Sequence, residues 1–107
     1  MNWYQNLYIG ETASKNLSDI IQKIEKKQCV WTVYLIALAP DERNQLEILT
    51  PTVYERQEKR YGKSPVIVGI ACGIQEARKL LVRMTQEVYQ ETGAVDFQSY
   101  FRAEKQN

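Results

Sequence analysis

Two short stretches, Val30-Trp31-Thr32-Val33-Tyr34-Leu35-Ile36-Ala37-Leu38-Ala39 and Pro65-Val66-Ile67-Val68-Gly69-Ile70-Ala71, are apolar at odd and even positions alike. Side chains of a strand alternate across the sheet, so such a run buries both faces and reads as a central strand. In the first run Trp31, Val33, Leu35 and Ala37 share one face, and Thr32, Tyr34, Ile36 and Leu38 the other. In the second, strict alternation sets Val66, Val68 and Ile70 against Ile67, Gly69 and Ala71. A chain of 107 residues must cover all of these surfaces from its own remaining elements or lend one to a partner.

The remaining elements follow from periodicity and punctuation. Leu7-Tyr8-Ile9 reads as a short strand ended by Gly10. Residues 12–27 carry Ala13, Leu17, Ile20, Ile21 and Ile24 at helical spacing, with Thr12 or Ser14 as cap and Lys23, Lys26 and Lys27 at the end that favours cations. A turn over Pro40–Asn44 leads to an edge strand over Gln45–Thr50. Residues 51–61 form a weak helix: Pro51 suits a first turn, but Val53, Tyr54 and Tyr61 make a thin apolar stripe. Ile74–Thr92 is the clearest helix, with Ala77, Leu80, Leu81, Met84 and Val88 on one face, Arg83 and Glu87 as an exposed i,i+4 pair, and Gly93 as its stop. Val95–Phe101 is a strand or a capped turn starting at Asp96, and its aromatic residues predict that it docks.

The order is β-α-β-β-α-β-α, an α+β domain of two layers. We expect a small mixed or antiparallel sheet with 30–39 and 65–71 inside and helices mainly on one face. A ferredoxin-like arrangement is the alternative, although it would centre the first and third strands instead. One domain spans 1–107, with a core over 7–93 and a docking tail, flexible at its end, over 94–107.

Composition excludes some chemistry. The sequence has no histidine, the commonest general base and zinc ligand. Its two cysteines, Cys29 and Cys72, have no paired spacing, which suits a reducing cytosol rather than a disulfide framework. We expect no metal and no cofactor. Fourteen basic and 13 acidic residues, spread evenly, give a net charge of +1 and make a strong nucleic-acid or membrane field unexpected. The opening Met1–Asn6 has no basic and apolar signal-peptide pattern, and no run reaches membrane-spanning length. A cytoplasmic protein is the expectation.

Three sets of residues are candidates for function. Gly69, Cys72, Gly73 and Ile74 form a strand-to-helix turn, where free backbone amides can meet an anion and a helix N-terminus can lower a thiol pKa. The spacing is not a dinucleotide fingerprint, and close packing explains the glycines as well. Gly62-Lys63-Ser64 resembles the end of a phosphate-binding loop but precedes a strand and lacks the earlier glycine, so it reads as a turn. Arg56, Lys59, Arg60 and Lys63 beside Tyr54 and Tyr61 suit weak nucleic-acid binding, with Glu55 and Glu58 halving the charge. Tyr34, Ile36, Phe97, Tyr100 and Phe101 are candidates for an interface.

Asn44-Gln45-Leu46-Glu47-Ile48, Ile67–Ala71 and Glu87-Val88-Tyr89 followed by Thr92-Gly93 resemble segments of small uncharacterised bacterial proteins. The resemblance spans most of residues 7–101 and implies a single small domain and no activity. The leading expectation is a non-enzymatic protein-interaction module, working as a homodimer or with another protein. Anionic-ligand or thiol chemistry at Gly69–Gly73 and nucleic-acid binding at 54–63 are the alternatives.

Overall fold

A computed structural model describes residues 1–28, 32–39 and 45–106. Cys29, Val30, Trp31 and the Pro40–Asn44 turn lie outside the described residues. The strands are β1 (Asn2–Ile9), β2 (Val33–Leu38), β3 (Leu46–Leu49) and β4 (Val66–Cys72). A 3-10 turn (Ala13–Asn16) precedes α1 (Leu17–Glu25); α2 (Pro51–Tyr61), α3 (Ile74–Thr92) and α4 (Phe97–Gln106) complete the fold. The sheet order is β1-β4-β2-β3, with β1 parallel to β4 and the other pairs antiparallel. The two most apolar strands are therefore central in a mixed sheet, as their two-sided pattern requires. The ferredoxin-like alternative does not fit, because it centres the first and third strands, whereas β1 and β3 are the edges here.

The helices do not gather on one face. On one side of the sheet, Ala13 of the 3-10 turn, Ile20 and Ile24 of α1 and Tyr54 of α2 pack on Val33, Leu35, Ile67 and Ile70. On the other, Ala77, Leu80, Met84 and Val88 of α3 and Phe97 and Phe101 of α4 pack on Ile36, Leu38, Val68 and Ala71. The two-layer expectation is corrected to three layers, because both faces of β2 and β4 are apolar and each needs cover.

Strict alternation also fails in β4. Ile36 pairs with Gly69 and Ala37 with Ile67, leaving Val68 as an extra residue. Across this bulge Ile70 returns to the face of Ile67, instead of sharing one with Val68. On the other side β1 pairs Trp3 with Ile67 but Tyr8 with Gly69, so Tyr4–Leu7 bow out opposite Val68. Gly69 sits in tight packing between the sheet and α3: a Cβ there would lie 3.3 Å from Ile36 and from Leu80.

Local chemistry explains the helix ends. Thr50 caps α2 by accepting from the Val53 amide at 3.3 Å, with Pro51 in the first turn. Its thin stripe has one anchor, the buried Tyr54, whose hydroxyl donates to the Pro65 carbonyl at 2.6 Å. Gly93 ends α3 in the left-handed region at φ 74°. Asp96 then accepts from the Ser99 amide, so the capped-turn reading of the tail holds and the turn continues as α4. The Gln45 side chain supports the start of α4, accepting from the Phe97 amide at 2.8 Å. Among the described residues, no helix is long and apolar enough to cross a membrane.

Candidate functional site

The carboxyl ends of parallel neighbours β1 and β4, Ile9 and Cys72, leave the sheet at the same edge. The chain then departs in opposite directions. From β1 it turns at Gly10 into the 3-10 turn and α1 on one face; from β4 it turns at Gly73 into α3 on the other. Such a switch point leaves a crevice beyond the strand ends, the general location of ligand sites in open α/β sheets. Here the crevice has a volume of about 400 Å³. Gly10, Glu11 and Thr12 form one wall, and Glu76, Lys79 and Arg83 the other, with Leu80 among its lining.

Glu76 ties the two walls together. Its carboxylate accepts from the Thr12 amide at 2.7 Å, the Ala13 amide at 3.3 Å and the Cys72 amide at 2.7 Å. A Cβ at Gly10 would strike this carboxyl group, so a larger residue there would have to push the Glu76 side chain from its hydrogen bonds. Burial pushes the Glu76 pKa up, but the hydrogen bonds from Cys72, Thr12 and Ala13 outweigh it and hold the group below the usual carboxylate range. The first turn after β1 is thus capped from across the molecule. Neither Thr12 nor Ser14 caps it; the Ser14 hydroxyl donates to the Glu11 carbonyl.

This arrangement decides what the Gly69–Ile74 turn can offer. The Cys72 amide is held by Glu76, and the Gly73 amide donates to the Thr32 carbonyl at 2.6 Å. The Gly73 amide, one of those at 73–76 expected to meet an external anion, already has an internal partner. Burial pushes the Cys72 thiol pKa up, and the neighbouring Glu76 charge adds to it. Both effects disfavour a thiolate, opposing the activation expected at a helix N-terminus. Gly69 serves close packing, and Ile74 opens α3.

The cations of the crevice come from α3. Lys79 and Arg83 are one turn apart, and the Arg83 guanidinium lies 5.9 Å from the Tyr8 ring centre. The expected Arg83–Glu87 ion pair does not form. Instead the Tyr8 ring faces Arg83. Burial, followed by the nearby Glu87 carboxylate, raises the Tyr8 pKa. Tyr100 next to it donates to Glu91 at 2.6 Å, and this bond, with burial, pushes its pKa up to about 12. Among the described residues, no group of three metal-ligating side chains is close enough to hold an ion.

The other candidates are dispersed. Ile36, Phe97 and Phe101 are buried within the chain, while Tyr34 and Tyr100 are half-buried at its margin, so these five do not form a free surface. Arg56, Lys59, Arg60 and Lys63 are all exposed along α2 and just beyond it. Sequence reasoning missed Gly10, Glu11, Thr12, Glu76, Lys79 and Arg83 as a group. A glutamate three residues after a helix-opening glycine was the available signal for Glu76; the pairing of β1 with β4 had none.

No protein-family model, curated protein or solved structure matches this chain, so the assignment of this crevice rests on its geometry.

Proposed function

We propose that the protein is a non-catalytic binding module whose switch-point crevice takes a small polar organic anion. The supporting observation is a cationic wall, Lys79 and Arg83, facing the Gly10–Thr12 turn across about 400 Å³. That volume is within the range of small-molecule sites. The Glu76 charge is met by three amides, so it does not neutralise Lys79 and Arg83 as a free carboxylate would. Glu11 and Thr12 on the facing wall would contact the polar body of the ligand. A reducing cytosolic setting suits the free Cys72.

A second reading is protein binding, favoured by Val82 and Tyr89. These stand 57% and 58% exposed, seven residues apart on the outer side of α3. Binding through a bare sheet is not available, since both faces are covered within the chain.

Native mass spectrometry of untagged protein from its own cells separates these readings. The crevice reading expects a monomer with added small-molecule mass, lost in Lys79→Glu/Arg83→Glu. A dimer or retained protein chain, unaffected by that substitution and lost in Val82→Asp, would replace it with the second reading.

A further inference from the structure

The outer side of α2 carries a charge pattern that the sequence conceals. Along the chain, Glu55 and Glu58 halve the charge of Arg56, Lys59, Arg60 and Lys63. Folding sets Glu58 apart from Arg56 and Arg60, while Glu55 stays one turn from Lys59. Arg56, Lys59 and Arg60 recur at helical spacing on the side opposite the buried Tyr54, all three exposed, and Lys63 follows just past the Gly62 cap. Glu58 turns aside to accept from the Ser64 hydroxyl at 2.6 Å. Both Glu55 and Glu58 line a crevice against the end of α1, beside Ile24 and Lys27. Tyr61, two turns on from Tyr54 at the last residue of the helix, is 49% exposed, with the Arg60 guanidinium reaching to 5.6 Å from its ring centre.

We propose that this stripe is a binding site for single-stranded nucleic acid, with the cations on successive phosphates and Tyr61 stacking a base. Cations one turn apart, about 5–6 Å along the helix axis, can meet neighbouring phosphates of an extended strand. An exposed ring among them supplies the sequence-tolerant stacking on which such sites depend. A lipid surface is less well matched. The helix turns its main apolar anchor, Tyr54, inward and offers the bilayer only Val53, 37% exposed, and Tyr61, which is short of an amphipathic apolar face. The net charge of +1 supplies little long-range attraction, so binding is local, weak and salt-sensitive. This site is separate from the switch-point crevice and does not depend on a ligand there.

The test is fluorescence anisotropy of a dye-labelled 20-nucleotide oligouridylate titrated with the full chain. Three to four phosphate contacts predict that affinity falls roughly 20- to 50-fold between 50 and 200 mM salt. Arg56→Glu/Arg60→Glu abolishes binding, whereas Lys15→Glu/Arg78→Glu, with the same charge change on other elements, keeps it within about two-fold. Tyr61→Ala weakens it about five-fold or more. Circular dichroism melts establish that each variant is folded. Three outcomes overturn the proposal: no binding at 50 mM salt, equal loss in the two charge-reversal variants, or unchanged binding in Tyr61→Ala with equally tight binding to phosphatidylserine vesicles.

Discussion

Glu76 occupies a position that a ligand anion would otherwise claim, and its consequences are testable side chain by side chain. Glu76→Gln removes the charge and offers one carbonyl oxygen to amides that now share two carboxylate oxygens. Poorly satisfied amides and the loss of charge-assisted bonds should cost roughly 1–3 kcal/mol, measured by urea unfolding. The acid dependence has a definite sign. The Glu76 pKa is lowered in the folded protein, so its contribution is complete above the ordinary glutamate pKa and is lost as pH falls through the lower folded value. Wild type should therefore lose stability more steeply than Glu76→Gln as pH drops below about 4.5. Equal slopes would remove Glu76 from the account of the crevice. Cys72 gives an independent reading of the same charge. In a Cys29→Ser background its alkylation at neutral pH should be slower than that of a model thiol, and faster in Glu76→Gln than with Glu76 present.

At the scale of elements, α4 shows what the sequence could and could not express. Asp96 followed by aromatic residues pointed to a capped, docking segment, and that is what forms. Its seat was not legible, because it depends on Tyr4 in the bowed part of β1, on Tyr8 where pairing resumes and on Gln45 before β3. Phe101 is 1% exposed and meets the Tyr4 and Tyr100 rings edge-on at 5.0 and 5.1 Å. Phe101→Ala should destabilise the protein by about 3–5 kcal/mol in denaturant unfolding. A cost near zero would mean that α4 is an appendage and that its aromatic residues are available for a partner. The bulge at Val68 was hidden for a related reason. A two-sided apolar strand keeps its pattern when one residue is inserted, so nothing in Val66–Ala71 marks where alternation breaks. Helices α2 and α3, by contrast, were legible, since signals such as Pro51 in a first turn and Gly93 as a stop act locally.

For the whole molecule, the decisive fact is how the two-sided sheet is covered. The sequence posed this as a choice between wrapping by the chain and packing by a second subunit. Side chains alone did not say that β1 returns beside β4, which is what sends α1 and α3 to opposite faces and opens the crevice between them. Cover on the α3 side is shared: α3 supplies Ala77, Leu80, Met84 and Val88, and α4 adds Phe97 and Phe101. Removing residues 94–107 would uncover part of that face, including Tyr4 and its neighbours, without touching α1, α2 or the crevice walls. The truncated chain should then self-associate, eluting as dimer or larger in size-exclusion chromatography with light scattering and binding more of the dye ANS than the full chain does. The full chain, with both faces covered, should be monomeric at micromolar concentration in the same experiment. A full-chain dimer that α4 removal does not alter would place self-association on the helix surfaces, with Val82 and Tyr89 as its first suspects. A monomeric truncated chain that binds no ANS would show that α3 alone can close the face, and would leave α4 free to serve another contact.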